Sequence, residues 1–152
     1  MDNATKTRYF EDFTVGQIFL GGPAAVDAAD IKKFAATFDP QPFHLDEAAA
    51  ARTFFHGLVA SGWQTASLTM RMMVESLGVA GRFIGVKVEE MGWPLAVRPG
   101  DVLYAEVEIA EMRSLRSRPE FGLVKLKVTT TNQAHQPVQH LHATTLIGRR
   151  DA

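Results

Sequence analysis

The sequence predicts an α+β protein in which an antiparallel β-sheet wraps around one long central helix. The stretch from Leu58 to Val79 is mostly apolar and follows helical spacing. The last third of the chain contains three runs in which apolar and polar residues alternate, with no helical pattern between them. Consecutive strands of this kind pair as an antiparallel meander. A helix that is apolar nearly all round must be covered, and the sheet is the element available to cover it.

Composition favours one globular domain spanning residues 1–152. Hydrophobic residues make up 46% and charged residues 22% of the chain, and no repeat or linker divides it. The 16 Lys and Arg against 17 Asp and Glu leave a formal net charge of -1, which argues against nucleic-acid or membrane partners. There is no Cys, and the polar segment from Met1 to Arg8 does not resemble a secretory signal, so we expect a cytoplasmic protein.

The first half of the chain is expected to hold a strand and several helices. A short strand is predicted from Gln17 to Ala25, and Asp27 is placed to cap a following helix. That helix carries apolar residues at i, i+3, i+4 and i+7 and should end before Pro40, because the residue preceding a proline is disfavoured in the α region. Its apolar positions are Ile31, Phe34, Ala35 and Phe38.

The segment from Asp39 to His44 is predicted to be a stiff, non-helical loop, since two prolines restrict its backbone. Asp46 should cap a short helix from Glu47 to Arg52, and His56-Gly57 should open the long helix. The apolar positions expected to recur along that helix are Val59, Trp63, Ala66, Met70, Met73 and Leu77.

The three predicted strands of the meander are preceded by a turn at 98–101 and separated by turns at 113–119 and 132–137. The apolar residues that alternate along them are Leu103, Ala105, Val107 and Ile109, then Val124, Leu126 and Val128, then Leu141, Ala143, Thr145 and Ile147.

The loop between the two prolines brings together residues that suit acid–base chemistry. Asp39 and His44 can hold one water molecule and move its protons, because an imidazole exchanges protons near neutral pH. If Gly57 stands at the start of a helix, its amide is a free donor reinforced by the helix dipole. Such a donor can stabilise the negative oxygen that develops when water adds beta to a thioester carbonyl.

The chain resembles the MaoC-like dehydratases, which include the (R)-specific enoyl-CoA hydratases. The resemblance runs through the segments 10–16, 39–46, 56–61 and 98–101. It implies a hot-dog fold and an Asp-x-Asn-Pro-x-His motif whose catalytic residues fall on Asp39 and His44. The family's carbonyl-binding glycine would fall on Gly57, and a family hydroxyl would fall on Thr65 or on Ser61. Two departures are Gln41 in place of the motif's Asn, and Thr37-Phe38 where Ser-Gly is common.

The resemblance implies reversible hydration of a trans-2-enoyl-CoA to an (R)-3-hydroxyacyl-CoA, without a metal or other cofactor. A hot-dog acyl-CoA thioesterase and a non-catalytic acyl-thioester binding subunit are the alternatives. Without the resemblance, Asp39 and His44 would be interpreted as helix caps. A homodimer or higher homo-oligomer is expected, because one sheet around one helix leaves edges and apolar surface uncovered.

Two groups of surface residues invite a functional interpretation. Arg113, Arg116 and Arg118 share one turn and could contact CoA phosphates, although an exposed basic turn is usually only solvated. His140 and His142 have the spacing of metal ligands on a strand, but the sequence offers no convincing third ligand, which favours a solvated face.

Overall fold

The computed structural model describes residues 6–151 and confirms the predicted α+β hot-dog fold. These residues form one five-stranded antiparallel sheet in the order β1-β3-β4-β5-β2, with the long helix α4 packed against β1 and β3. The first five residues of the polar N-terminus lie outside the described part. The strands are β1 (Ile18–Ala25), β2 (Phe83–Gly92), β3 (Val102–Ser114), β4 (Phe121–Thr131) and β5 (Pro137–Gly148). The helices are α1 (Ala28–Phe38), α2 (Pro42–Leu45), α3 (Glu47–Ala50) and α4 (Gly62–Leu77), preceded by a 3-10 turn at Phe10–Asp12.

The meander forms as predicted. Val107 of β3 lies opposite Val128 of β4, which lies opposite Leu141 of β5. The alternating residues of these strands are buried and meet Met72, Met73 and Leu77 of α4 in the core. The alternation therefore identified the face of the sheet that covers the helix.

Helix α1 begins and ends where the sequence predicted. The Asp27 carboxylate accepts a hydrogen bond of 2.8 Å from the amide of Asp30, and the helix stops at Phe38. Ile31 and Ala35 are fully buried, whereas Phe38 is exposed. Asp46 also caps as predicted, but helix α3 ends at Ala50 instead of Arg52.

The sequence predicted a loop from Asp39 to His44, but part of this segment is helical. Pro42 is the first residue of the short helix α2, which carries His44. A proline suits this position because its fixed φ is helical and its missing N–H needs no partner there. Gln41, which precedes it, is extended, as the restriction on residues before proline requires.

The predicted start of the long helix was wrong by five residues. Helix α4 begins at Gly62, and Ser61 is its N-cap. His56 has a φ of 55°, outside the right-handed helical region. Moreover, the amides of Val59 and Ala60 donate to the carbonyls of Phe43 and Val97 instead of starting a helix. The buried face of α4 includes Gln64, Thr65 and Thr69, whereas the predicted core residues Trp63 and Met70 are exposed.

Strand β2 was not predicted, and it forms one edge of the sheet beside β5. Its side chains Ile84, Val86 and Val88 alternate in sequence and are about half exposed. Within residues 6–151, no helix has the length and apolarity needed to cross a membrane.

Candidate active site

The structure brings Asp39 and His44 into contact. Asp39 ends α1 and His44 lies in α2, so the turn around Pro40 and Gln41 sets their separation. Nε2 of His44 lies 3.2 Å from Oδ2 of Asp39. The imidazole is buried, and the carboxylate side chain is 19% exposed. A pair of this kind is shielded by the protein yet accessible to water on the Asp39 side.

A backbone contact fixes the tautomer of His44. Nδ1 lies 2.6 Å from the carbonyl oxygen of Val59. Because a carbonyl can only accept a hydrogen bond, Nδ1 must carry a hydrogen and donate. Nε2, which faces Asp39, is therefore the ring nitrogen that is not committed to the backbone. A hydrogen bond from one ring nitrogen to a backbone carbonyl is a common way to hold an imidazole in one orientation and one tautomer.

Two side chains donate to the Asp39 carboxylate. Nε2 of Gln41 donates to Oδ1 at 2.6 Å, and Oγ of Ser61 donates to Oδ2 at 2.7 Å. Partial burial alone would raise the pKa of Asp39, but these two hydrogen bonds and the His44 imidazole outweigh it. The pKa of Asp39 therefore lies below its ordinary value of 3.8, and the group is a carboxylate at neutral pH.

Gln41 departs from the family motif, and the structure explains how the site tolerates it. The side chain of Gln41 folds back from its extended backbone to reach Oδ1 of Asp39. The longer side chain thus still supplies an amide donor to the carboxylate. The other departure, Phe38, points away from the pair and packs on Phe34 with ring centroids 5.1 Å apart.

A cavity of about 200 Å³ lies beside His44 at the start of α4. Its polar lining comes from His44 and Thr65, together with Gly62, and Asp39 does not line it. The remaining walls are apolar: Phe43, Phe55, Ala60, Trp93, Leu95, Ala96, Val97 and Val138. This composition suits an apolar group attached to a polar reacting centre.

Gly57 does not occupy the place predicted for it. It precedes α4 by five residues and does not line the cavity; a side chain there would approach Arg98. Gly62 is the glycine that opens the helix beside His44. As the first residue of α4, its amide is one of the donors that no carbonyl within the helix can reach.

Both candidate hydroxyls lie at the site, in different roles. Ser61 caps α4 by accepting from the amide of Trp63 at 3.2 Å while donating to Asp39. Thr65, one helical turn further, is buried and lines the cavity. Ser61 therefore contacts the carboxylate, and Thr65 contacts the space that a ligand would occupy.

The basic turn is remote from this site. Ser114 pairs with Gly122 at one end of the β3–β4 hairpin, whereas Thr131 pairs with Pro137 at the other end, next to the cavity residue Val138. Nine residues of strand separate the two ends, or about 30 Å at ~3.4 Å per residue. Within one subunit, Arg113, Arg116 and Arg118 therefore lie far from the Asp39–His44 pair.

No set of three potential metal ligands converges within residues 6–151. His142 instead has its Nδ1 3.9 Å from Oε2 of Glu90, on the exposed side of the sheet.

Comparison with known proteins identifies the family. The family model described as a MaoC like domain matches residues 12–132, which is most of the chain. The chain belongs to the MaoC-like dehydratase family. A solved MaoC-like dehydratase from Rhodospirillum rubrum has 42% sequence identity and a TM-score of 0.89, covering 95% of this chain and 99% of that one.

Two relatives of this MaoC-like protein carry named activities. The 3-hydroxybutyryl-CoA dehydratase of Methylorubrum extorquens is 34% identical over 112 residues, 72% of this chain and 69% of that protein. The solved (R)-hydratase of Aeromonas caviae is 27% identical with a TM-score of 0.75, covering 89% of this chain and 97% of that one.

Three features of the site in this MaoC-like protein were not foreseen from the sequence: the helix-start glycine Gly62, the carbonyl of Val59 and the ring of Trp93. The signal for Gly62 was present, because Ser61 is a favoured N-cap residue and Gln64 follows it three residues later, which is the pattern of a capping box. The carbonyl of Val59 and the ring of Trp93 carried no comparable signal, since their roles depend on how distant segments pack.

Proposed function

We propose that this protein is a hydratase and dehydratase that adds water reversibly to a trans-2-enoyl-CoA, giving an (R)-3-hydroxyacyl-CoA. The observation that carries the proposal is the ionised Asp39 in contact with Nε2 of His44, near the helix-start amide of Gly62. The named activities of the two relatives support the same reaction.

The proposed mechanism uses each of these groups. The thioester carbonyl accepts a hydrogen bond from the amide of Gly62, which draws electron density from the conjugated double bond. A water molecule that lies beside the pair, in contact with both the Asp39 carboxylate and Nε2 of His44, attacks the β carbon. The pair takes one proton from that water and returns one proton to the α carbon, so that a hydroxyl and a hydrogen are added and the thioester remains intact.

Thr65 and Ser61 have supporting roles in this proposal. Ser61 holds the carboxylate by its 2.7 Å hydrogen bond, and Thr65 presents a hydroxyl to the substrate in the cavity. The sequence led us to expect that the amide of Gly57 stabilises the thioester oxygen; we now assign this role to the amide of Gly62. We place Gly62 in that role because it begins the helix and lines the cavity.

In the acyl-thioesterase alternative the water attacks the thioester carbonyl carbon, whereas in the proposed hydratase it attacks the β carbon. Incubation with crotonyl-CoA tests the choice, because hydration removes the conjugated absorbance while CoA stays attached. We expect loss of that absorbance, an R product on chiral analysis, and no free thiol. Release of CoA faster than hydration would support the thioesterase instead.

We also propose a homodimer built through β2. The strand lies at an edge of the sheet, so one side of its backbone has no partner strand in the sheet. Ile84, Val86 and Val88 are 47%, 57% and 56% exposed, which is an apolar surface that a second copy would cover. Residues 1–152 would act as a single domain in that dimer.

A further inference from the structure

Trp93 lies directly against the backbone that opens helix α4. An ideal Cβ built on Gly62 would stand 2.6 Å from Cε2 and 2.7 Å from Cδ2 of the indole. Real side chains do not approach so closely, so only glycine at position 62 allows this packing. The indole therefore lies beside the amide at which we place the thioester carbonyl.

A buried glutamine holds the indole in place. Nε1 of Trp93 donates to Oε1 of Gln139 at 2.9 Å, and Gln139 is completely buried in β5. The other amide atom, Nε2 of Gln139, has no hydrogen-bond partner within the described residues. A buried polar side chain normally has a hydrogen-bond partner. For Gln139 that partner is the indole N–H of Trp93, so we interpret the glutamine as the residue that holds the indole in position. The ring of Trp63 packs against Trp93 with centroids 5.6 Å apart.

The cavity that Trp93 lines is small. Its volume of about 200 Å³ is below the ~300–1,000 Å³ of pockets that enclose drug-sized ligands. An acyl chain that starts at the carbonyl beside Gly62 would meet the indole and the apolar walls within its first few carbons.

We propose that Trp93 determines the acyl-chain length and that Gln139 is its positioning residue, so that the site takes short-chain acyl thioesters. The inference rests on the proposed function, because it places the thioester carbonyl at Gly62. The fixed indole acts as a wall of the pocket: a short acyl group fits beside it, and a longer one requires it to move.

The test compares crotonyl-CoA with trans-2-octenoyl-CoA for the wild type, Trp93→Ala, Trp93→Phe and Gln139→Leu. The wild type should have the higher kcat/KM for crotonyl-CoA. Since each methylene in an apolar pocket can be worth ~10- to 200-fold, Trp93→Ala should raise the octenoyl-to-crotonyl ratio by at least about tenfold. Trp93→Phe should raise this ratio less, because it keeps an aromatic ring in the pocket. Gln139→Leu should also raise it less, because it removes the hydrogen bond that holds the indole but leaves the indole present. Phe54→Ala is the control, since Phe54 is exposed and does not line the cavity.

A binding measurement separates this inference from the proposed reaction. Calorimetry with the saturated butyryl-CoA and octanoyl-CoA needs no turnover, and Trp93→Ala should favour octanoyl-CoA relative to the wild type. If neither enoyl-CoA is hydrated, the proposed reaction fails and the binding comparison decides on Trp93. A wild type that handles both lengths equally, or a ratio unchanged in folded Trp93→Ala and Trp93→Phe, would overturn the inference.

Discussion

The hydroxyl of Ser61 donates to Oδ2 of Asp39 at 2.7 Å, and that same oxygen faces Nε2 of His44 at 3.2 Å. One residue therefore both caps the central helix and orients the carboxylate of the candidate pair. The entry of α4 and the Asp39–His44 pair are consequently held in one arrangement, so changes at the helix start are expected to affect the site chemistry.

Ser61→Ala should raise the pKa of Asp39 towards its ordinary value, because it removes one of the hydrogen bonds that favour the carboxylate. The acid limb of kcat/KM should then shift to higher pH, since Asp39 must be ionised to act. Stability should also fall by about 0.5–2 kcal/mol through loss of the cap. NMR titration of the Asp carboxyl carbons would measure the pKa of Asp39, and thermal unfolding would measure the loss of stability.

Ser67→Ala is the matched control for Ser61→Ala. Its hydroxyl lies on the same helix and donates to the carbonyl of Trp63, without contacting Asp39. It should leave the Asp39 titration unchanged. An equal shift in both variants would contradict a direct effect of Ser61 on the carboxylate.

The lowered pKa of Asp39 also predicts the direction of a stability change with pH. A group whose folded pKa is depressed stabilises the fold above its unfolded pKa, and this contribution is lost as the pH falls through the folded pKa. For Asp39 the loss is expected below pH 3.8. Denaturant unfolding of the wild type and Asp39→Asn at neutral and acidic pH checks this: the difference between them should shrink on acidification.

Gly62 allows the proposed amide donor to be separated from the packing of Trp93. Gly62→Ala adds a Cβ that displaces the indole but keeps the amide, whereas Gly62→Pro adds the same atom and removes the N–H. Proline is tolerated at the first position of a helix, so α4 should persist in both. We expect kcat of the Pro variant to be lower than that of the Ala variant by a further ~10²- to 10³-fold.

Gly57→Pro removes the amide N–H at that position and should still retain activity, because Gly57 lies outside the cavity. Equal activity of Gly62→Ala and Gly62→Pro would exclude the amide of Gly62 as the carbonyl donor. A large loss in a folded Gly57→Pro variant would return that role to the residue first expected from the sequence.

The proposed dimer should depend on β2 and not on the other edge of the sheet. Val88→Lys places a charge on the apolar surface of β2 and should convert the dimer to a monomer. Leu20→Lys places the same charge on the exposed side of β1, at the opposite edge, and should leave the dimer intact. Light scattering at micromolar concentration distinguishes the outcomes, and a wild-type mass near the 16.7 kDa of one chain would contradict the proposal.

The fold was predictable where local patterns agree with the final packing. Alternation along β3, β4 and β5 identified their buried faces, and Asp27, Asp46 and Pro40 marked helix ends through purely local geometry. Strand β2 was not predicted, although Ile84, Val86 and Val88 alternate along it; these side chains remain about half exposed in the single chain.

The contact between Asp39 and His44 was predictable from the sequence, whereas the surroundings of the pair were not. Asp39 and His44 lie five residues apart on one short segment, so their contact is nearly local. The start of α4 was predicted too early in the chain. The amides of Val59 and Ala60 donate to the distant carbonyls of Phe43 and Val97, and no local sequence pattern reveals such hydrogen bonds. The contact of Trp93 with Gly62 likewise depends on how the segment that follows β2 packs against the start of α4.

The most direct test of the account is steady-state hydration of crotonyl-CoA by Asp39→Asn and His44→Ala, with circular dichroism as the check on folding. General acid–base groups typically contribute ~10²- to 10⁴-fold, so each variant should lose activity by about that factor while its spectrum barely changes. Near wild-type turnover in either folded variant would contradict the assignment of the Asp39–His44 pair as the catalytic centre.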